Sequence, residues 1–462
     1  MNARIAPEMS DLAAGFSAHV VRWAAHRGAA PDALAVLKVA AQRVSLATAQ
    51  GSVCIPLAAM AEQLENKSAV ELRKALLASR IVSEPDSQVM LPLVLDTANR
   101  LYLRRYFDYE RRFATQLARR AASLNQQPLQ LRLDEKPDSQ RTAVDLAMRR
   151  RLAIISGGPG TGKTTTVALL LARILEENPQ ARIALAAPTG KAAARLLDTL
   201  RERTAGLPEK VRARLPAEAH TIHRLLGVTS GPGRFRHDGA KPLALDVLVV
   251  DEASMLDLSL AVHLIEAVPE GARLVLLGDK DQLAAVEAGS IFAELAARDG
   301  SRLADCVVWL SESYRFPPSS GIGRLAADIN VGEPDRALGW MTHDANASVT
   351  WIDDAGGETG VATRNCILQG YDAYVDAVRK DCDDKAAVFR AFDSFRVLCA
   401  VRESPRGVRA LNGLLARHVR TSLDHPLDPG GRSLWYPGRA VMVVRNDYVL
   451  GIFNGDTGIC LP

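Results

Sequence analysis

The sequence predicts an α/β protein built on a doubly wound parallel sheet, because short apolar runs alternate with helical segments from about residue 143 onward. Each of these runs is almost continuously apolar, which is typical of strands that helices cover on both faces of a sheet. The first run leads directly into a glycine-rich loop, a second indication of a strand–loop–helix unit. The predicted strands span residues 152–156, 182–187, 246–251, 273–278 and 306–310.

The elements on either side of this sheet predict three domains. Residues 1–124 are predicted to form a mainly helical domain, and a polar stretch at 125–138 is predicted to be a linker. The sheet-containing domain is placed at 125–318, and residues 319–462 are predicted to form a further α/β segment. Among the predicted helices are 31–44, 70–79, 164–177 and 191–203, and surface loops are expected at 230–242 and 424–433.

The composition is that of an ordinary globular protein and excludes several classes. The chain has 462 residues, of which 48% are hydrophobic and 24% charged, so it is neither disordered nor fibrous. A net charge of +4 is too small to indicate nucleic-acid binding by itself. No run of about 18 apolar residues exists, and Glu8 and Asp11 precede any apolar stretch. We therefore expect a cytoplasmic protein without a membrane span, whose six cysteines are reduced thiols.

One predicted helix, at 101–121, combines aromatic side chains with many arginines. Tyr106, Tyr109, Phe113 and Leu117 follow the spacing i, i+3, i+7, i+11, which forms one apolar face. The arginines at positions 104, 105, 111, 112, 119 and 120 are expected to lie largely on the solvated face. The favoured interpretation is a stripe packed into a core, and the alternative is a helix that stacks nucleic-acid bases.

The glycine-rich loop after the first predicted strand carries the strongest functional motif, GxxxxGK[ST]. In this pattern the glycines let backbone N–H groups approach phosphate oxygens, and the following helix adds its positive N-terminal end. Lys163 is placed to reach the β- and γ-phosphates of a nucleotide, and the Thr164 hydroxyl to ligate Mg²⁺. A glycine turn that only caps a helix would not explain Lys163 and Thr164. The predicted nucleotide-binding residues of this loop are Gly157, Gly158, Pro159, Gly160, Thr161, Gly162, Lys163, Thr164 and Thr165.

Polar side chains after three later strands complete a candidate catalytic set. Asp251 and Glu252 end an apolar strand, where Asp251 suits the Mg²⁺ shell and Glu252 suits activation of the attacking water. Gln282, after the next strand, is placed to sense the terminal phosphate, and Arg315, after the last, to stabilise charge on it. Taken singly, these residues also fit a helix cap, a polar turn and an ordinary surface arginine. The predicted catalytic residues are Lys163, Glu252, Gln282 and Arg315.

Two further segments complete a recognisable set of motifs: Pro-Thr-Gly-Lys-Ala-Ala at 188–193 and His-Thr-Ile-His-Arg-Leu-Leu-Gly at 220–227. Together with the loop, the strand-end residues and Ser-Tyr-Arg-Phe at 313–316, they resemble superfamily 1 helicases of the 5′-to-3′ branch. Within that branch the chain is most similar to the RecD family, the alpha subunits of bacterial exodeoxyribonuclease V. The resemblance extends over most of the chain from about residue 92 and includes segments 99–103, 444–447 and 451–458.

This resemblance implies an ATP-driven, Mg²⁺-dependent 5′-to-3′ DNA helicase subunit with a RecA-like ATP-binding domain at 125–318. It implies that Gln140 contacts the adenine. It also implies RecB-like and RecC-like partner subunits, one of which docks to the first domain, and an assembly that processes DNA ends in double-strand break repair. The residues that it places along single-stranded DNA are Pro188, Thr189, Gly190, Lys191 and His223.

The end of the sequence departs from the family pattern. Two later motifs, Thr-x-His-Lys-x-Gln-Gly and a Thr-Arg-Ala segment with a second catalytic arginine, would follow Gly458, whereas the sequence stops at Pro462. We therefore expect a carboxyl-terminally truncated chain, in which a second RecA-like half at 319–462 is incomplete. Such a chain is expected to bind nucleotide but to hydrolyse ATP poorly and not to unwind duplexes.

Two alternative functions stay open from the sequence. One is a P-loop ATPase that drives a process without nucleic acid, which predicts no salt-sensitive DNA binding. The other is a non-catalytic assembly subunit whose P-loop orders the fold. Asp251, Glu252 and Gln282 argue against the second, because a purely structural nucleotide site needs no carboxylate to activate water.

Overall fold

The computed structural model divides the chain into two compact units, Met1–Pro317 and Pro318–Pro462. The described residues are 7–64, 68–122, 138–229, 234–283, 288–289, 291–297, 300–343, 348–354, 356–425, 434–444, 450, 452 and 455–462. Within these ranges no helix is both long enough and apolar enough to cross a membrane. Most of the predicted linker at 125–138 and most of the predicted loop at 424–433 lie outside the described residues.

The first unit begins with helices that surround a small sheet. The helices are α1 (Pro7–His26), α2 (Pro31–Ala49), α3 (Ala69–Ala78) and α4 (Arg104–Ala122). The strands are β1 (Cys54–Pro56), β2 (Val82–Ser83), β3 (Leu93–Leu95) and β4 (Arg100–Leu103), in the order β1-β4-β3-β2. The helices predicted at 31–44 and 70–79 are present. The sheet is not predicted from the sequence, because strands of two to four residues are too short to show alternation.

A six-stranded parallel sheet forms the centre of the first unit, with strand order β10-β5-β9-β8-β6-β7. Its strands are β5 (Leu152–Gly157), β6 (Ile183–Ala187), β7 (His220–Thr221), β8 (Val247–Val250), β9 (Arg273–Gly278) and β10 (Val307–Leu310). The accompanying helices are α5 (Ser139–Arg149), α6 (Lys163–Glu177), α7 (Gly190–Thr204), α8 (Glu209–Arg212), α9 (Ile222–Leu226), α10 (Leu258–Ala267) and α11 (Ile291–Leu295). All five predicted strands are present, and β7 is an additional strand beside β6.

Side chains along the sheet alternate between two cores, as expected when helices cover both faces. Ile154 and Val250 face a core that contains side chains of α4 and α10. Ile155 and Val249 face a core that contains side chains of α5, α6 and α7. Because all the strands are parallel, their carboxyl ends meet at one edge, which is where such sheets hold ligands.

Helix α4 buries its predicted apolar stripe in the core beside α10. Tyr106, Phe113 and Leu117 are buried there, and Tyr109 packs against the same cluster. The interpretation of this stripe as part of a core is therefore correct. The rings of Tyr106 and Phe113 are buried and that of Tyr109 packs against the same core, so the base-stacking alternative has no support from the structure.

Arg120 departs from the prediction of a solvated basic face. Its side chain is only 3% exposed, because the guanidinium fits against the carboxyl end of α10. It donates hydrogen bonds to the carbonyls of Ile265 at 3.1 Å, Val268 at 2.6 Å and Pro269 at 3.1 Å. The last carbonyls of a helix have no backbone N–H partner, so Arg120 satisfies groups that would otherwise be buried without one.

The second unit is mostly helical in its described residues. Its helices are α12 (Gly321–Val331), α13 (Pro334–His343), α14 (Val361–Gln369), α15 (Asp372–Lys380), α16 (Lys385–Asp393) and α17 (Val408–Ser422). Strands β11 (Arg439–Met442) and β12 (Thr457–Cys460) form an antiparallel pair. The described part of this unit has no parallel sheet. A second RecA-like half at 319–462 and the three-domain division stay predictions.

Candidate nucleotide-binding site

A cleft of about 680 Å³ opens at the carboxyl edge of the parallel sheet. This volume suits a nucleotide, since ligand sites commonly measure about 300–1,000 Å³. Its lining includes the glycine-rich loop from Gly158 to Thr165 and five predicted residues outside that loop, Gln140, Asp251, Glu252, Gln282 and Arg315. Gly157 is buried at the end of β5, directly before the loop. The fold thus brings residues from five separate parts of the sequence into one cleft.

The loop between β5 and α6 requires glycine at two positions. Gly160 has φ of +77° and Gly162 has φ of +87°, a left-handed conformation that a side chain would strain. A Cβ atom at Gly160 would lie 2.5 Å from the Cβ of Arg315, and one at Gly162 would overlap the side-chain amide of Gln140. The glycine pattern in the sequence therefore reflects both the backbone conformation and the close approach of two neighbours.

Lys163 and Thr164 lie where the loop becomes helix α6. The ammonium group of Lys163 donates hydrogen bonds to the carbonyls of Gly157 and Gly158, the second at 3.3 Å. The Thr161 hydroxyl donates to the Gly158 carbonyl at 2.9 Å, which fixes the loop. Helix α6 is fifteen residues long and begins at Lys163, so its positive N-terminal end faces the cleft. Backbone, ammonium group and helix end together favour an anion at this point.

Strand β8 ends in two adjacent carboxylates. The Asp251 N–H donates to the Ala186 carbonyl at 2.9 Å, and the Asp251 carboxylate accepts from the Glu252 N–H at 2.9 Å. Burial raises the pKa of the Asp251 carboxyl, and the hydrogen bond from Glu252 partly offsets that rise. Glu252 has φ of +51°, a conformation that costs roughly 1–3 kcal/mol outside glycine and is concentrated at functional sites.

Gln282 lies in the turn after β9 and is held by a residue that the sequence analysis does not single out. The Ser254 hydroxyl donates to the Gln282 side-chain oxygen at 2.7 Å. This bond joins the segment after β9 to the segment after β8. Ser254 stands three residues after Asp251 in the same motif, but its partner depends on how the two strand ends meet, which spacing does not reveal.

Arg315 follows β10 and is positioned by bonds between its own segment and the glycine-rich loop. The Ser313 hydroxyl donates to the Pro159 carbonyl at 3.0 Å. The Tyr314 N–H donates to the Gly160 carbonyl at 2.9 Å. These contacts fasten the segment onto the loop and keep the exposed arginine beside it. Ser313 is a second positioning residue that only the folded structure identifies.

Gln140 borders the loop on the opposite side from β8. It lies in the first turn of α5, where the Asp138 side chain accepts from its N–H at 2.9 Å. Its side-chain amide donates to the Thr161 carbonyl at 3.3 Å. Helix α5 packs against β10, so Gln140 is at the end of the cleft away from the carboxylates. That placement is compatible with the adenine contact that the family resemblance implies.

The residues assigned to DNA lie at the same sheet edge but outside the lining of the cleft. They are Pro188, Thr189, Gly190, Lys191 and His223. The first four connect β6 to α7, and the Thr189 side chain caps α7 by accepting from the Ala192 N–H at 3.2 Å. His223 is exposed in α9, which follows β7, the neighbour of β6. The fold therefore places both segments side by side.

The cleft also contains polar residues that the motifs do not predict. They are Arg195, Thr199 and Arg203 on α7 and Asp279 after β9. The position of the three α7 residues follows from the packing of α7 beside α6, which the sequence pattern alone does not specify. Lysine, arginine and carboxylate side chains thus meet around one concave surface.

The residues present fit a nucleoside triphosphate with Mg²⁺. The glycine-rich loop lines the cleft from Gly158 to Thr165, where its backbone N–H groups and the ammonium group of Lys163 suit a phosphate chain. The Thr164 hydroxyl and the Asp251 carboxylate supply the oxygen ligands that Mg²⁺ prefers. The described residues hold no cluster of three or more His, Cys, Asp or Glu side chains suited to another metal.

The parallel sheet and this cleft define a P-loop nucleotide-binding protein. Residues 140–288 match the family model described as an AAA domain. The matched range begins at Gln140 and includes the glycine-rich loop, the carboxylate pair and Gln282, so it covers most of the cleft.

Curated relatives identify the family. The chain is 38% identical over 445 residues to "RecBCD enzyme subunit RecD" of Mycobacterium tuberculosis, covering 91% of this chain and 74% of the relative. It is 36% identical to the protein of the same name from Mycolicibacterium smegmatis, with 93% and 76% covered. It is 34% identical to "ATP-dependent RecD2 DNA helicase" of Deinococcus radiodurans, with 70% and 38% covered. The chain belongs to the RecD family, as its motifs predict.

Proposed function

We propose that this protein is the ATP-driven 5′-to-3′ DNA helicase subunit of an exodeoxyribonuclease V complex that acts in the repair of double-strand breaks. Its membership of the RecD family supports this function, since its relatives are named as RecBCD subunits and as a DNA helicase. The observation that carries the proposal is the single cleft shared by Lys163, Thr164, Asp251 and Glu252. A structural P-loop would not need the two carboxylates, so the non-catalytic alternative is not favoured.

Five side chains of the cleft have proposed roles in binding or hydrolysing ATP. Lys163 and the loop N–H groups bind the β- and γ-phosphates of ATP. Thr164 and Asp251 hold Mg²⁺, which offsets phosphate charge when bound. Glu252 orients the attacking water and accepts its proton, while Arg315 stabilises the charge on the transferred phosphoryl group.

Helix α7 connects the nucleotide site to the proposed DNA contacts. Its first residues, Gly190 and Lys191, belong to the segment proposed to contact single-stranded DNA. Ala192, directly after them, lines the nucleotide cleft. A displacement of α7 on hydrolysis would therefore move the DNA-contacting segment with it. Gln282, bonded to Ser254, is placed to sense the terminal phosphate and to begin such a displacement.

We assign RecB-like and RecC-like subunits as partners and place the protein in the cytoplasm. The names of the RecD relatives support the partners. All six cysteines are free thiols, as expected in a reducing compartment. The first domain is the proposed docking element for one partner.

Unwinding of a 5′-tailed DNA duplex tests this function, in a complex reconstituted with this chain extended by the two later motifs that the family resemblance implies. Lys163→Ala is expected to lower the rate at which this subunit unwinds DNA about a hundredfold or more, because the phosphates of ATP lose the ammonium group that binds them. Lys210→Ala, an exposed lysine on α8, is the matched control and is expected to change nothing. An ATPase without a nucleic-acid role would instead show no salt-sensitive binding of single-stranded DNA and no effect of Lys163→Ala on unwinding.

A further inference from the structure

Helix α7 presents a row of polar side chains to the nucleotide cleft. Arg195, Thr199 and Arg203 recur every four residues, so they share one face of the helix. That face flanks the buried stripe of Leu196 and Leu200, which belongs to the same core as α6. All three polar side chains line the cleft together with the glycine-rich loop.

Two arginines of α7 have different surroundings. Arg201 forms an ion pair with Asp198 at 3.6 Å and donates to the Ala217 carbonyl at 3.1 Å. Arg195 makes no hydrogen bond or ion pair with any residue that the structure describes. Its guanidinium, which has five N–H donors, is therefore available to an anion in the cleft.

Arg195 lies at the end of the cleft where the phosphates of a nucleotide would bind. Asp251 and Thr164 mark that end, because they are the proposed Mg²⁺ ligands. Arg195 lines the same cleft from α7, and α7 follows β6, the strand beside the one that ends at Asp251. Arg315 reaches the cleft from beyond β10, whereas α7 follows β6. In the sheet β10 and β6 lie on opposite sides of β5, so the two arginines flank the loop.

We propose that Arg195 contacts the terminal phosphate of bound nucleotide from the side opposite Arg315 and makes the cleft selective for triphosphate over diphosphate. This inference rests on the proposed function. A guanidinium matches two phosphate oxygens with parallel N–H···O bonds, and such charge-assisted bonds are stronger than neutral ones. Three carboxylates line the cleft, those of Asp251, Glu252 and Asp279, so a further cation favours an anionic ligand there.

Calorimetric titration with Mg·ATPγS and with Mg·ADP tests the contact. Arg195→Ala is expected to weaken ATPγS binding by at least about tenfold and to leave ADP binding unchanged, because only the terminal phosphate loses a partner. Arg201→Ala removes the same charge from the same helix and is expected to change neither affinity. Arg195→Lys keeps the charge without the planar fork and is expected to restore part of the ATPγS affinity.

The outcomes separate this inference from the proposed function. Equal weakening of both nucleotides by Arg195→Ala would indicate a general change of the cleft and overturn the inference, and so would unchanged affinity for both. Lys163→Ala is expected to weaken both nucleotides. If the unmodified chain bound neither nucleotide, the proposed function would be overturned, and the inference with it.

Discussion

Glu252 is the residue at which backbone strain and proposed chemistry coincide. Its backbone has the left-handed conformation, with φ of +51°, just after strand β8 ends, and the residue lines the cleft. Its N–H is held by the Asp251 carboxylate at 2.9 Å. The surrounding structure keeps this conformation in place, which is consistent with a side chain that must reach one position in the cleft.

Glu252→Gln is expected to separate nucleotide binding from hydrolysis. Glutamine keeps the size of the side chain but cannot accept a proton from water, so hydrolysis is expected to fall by about 10²–10⁴-fold. Binding of Mg·ATPγS is expected to stay unchanged. Single-turnover hydrolysis by the purified chain with single-stranded DNA measures the first quantity, and calorimetry the second. Glu270→Gln, exposed and outside the cleft, is the control; equal rates in both variants would remove Glu252 from the mechanism.

The buried guanidinium of Arg120 joins two helices, α4 and α10. Arg120 spans from α4 to the last turn of α10 and satisfies main-chain carbonyls there. Burial lowers the pKa of its guanidinium, which nevertheless stays charged at neutral pH because arginine starts from so high a value. The neighbouring Arg119 is exposed and pairs with Glu270 at 3.4 Å.

Arg120→Met is expected to destabilise the first unit by about 2–4 kcal/mol, because buried carbonyls of α10 lose their donors. Arg119→Met is the matched control and is expected to cost less than about 1 kcal/mol, as exposed ion pairs contribute little. Urea unfolding followed by circular dichroism measures both. Equal midpoints for the two variants would show that the contacts of Arg120 do not hold α4 and α10 together.

The sequence predicts those parts of the site in which the functional residues stand close together in the sequence, within one motif. The glycine-rich loop, the Asp251–Glu252 pair and the five predicted strands of the parallel sheet are all recognisable from local patterns. Ser254 and Ser313 are not, because each donates a hydrogen bond to a partner that the fold brings close. The same reasoning applies to the short strands of the first domain, which are defined by pairing and not by their own composition.

Within the first unit, contacts connect the elements that precede α5 to the region of the nucleotide cleft. Beyond the contacts of α4, the Gly289 N–H donates to the Gly51 carbonyl at 2.9 Å. The turn between α2 and β1 therefore touches the chain a few residues after Gln282, which lines the cleft. If residues 1–124 dock a partner subunit, as proposed, that subunit would act on a part of the chain that is already connected to the nucleotide site. The second unit contributes helices and one antiparallel pair in its described residues, and its comparison with a RecA-like half stays a prediction.

Equilibrium binding of ATPγS to the purified chain tests whether the cleft is a Mg²⁺–triphosphate site. The unmodified chain is expected to bind in the presence of Mg²⁺, and chelation of the metal is expected to weaken binding, because Thr164 and Asp251 then lose the ion that they share with the phosphates. Lys163→Ala is expected to reduce the affinity by at least about tenfold, and Lys210→Ala to leave it unchanged. Full affinity in Lys163→Ala, or no binding by the unmodified chain, would contradict the assignment of this cleft and the helicase function derived from it.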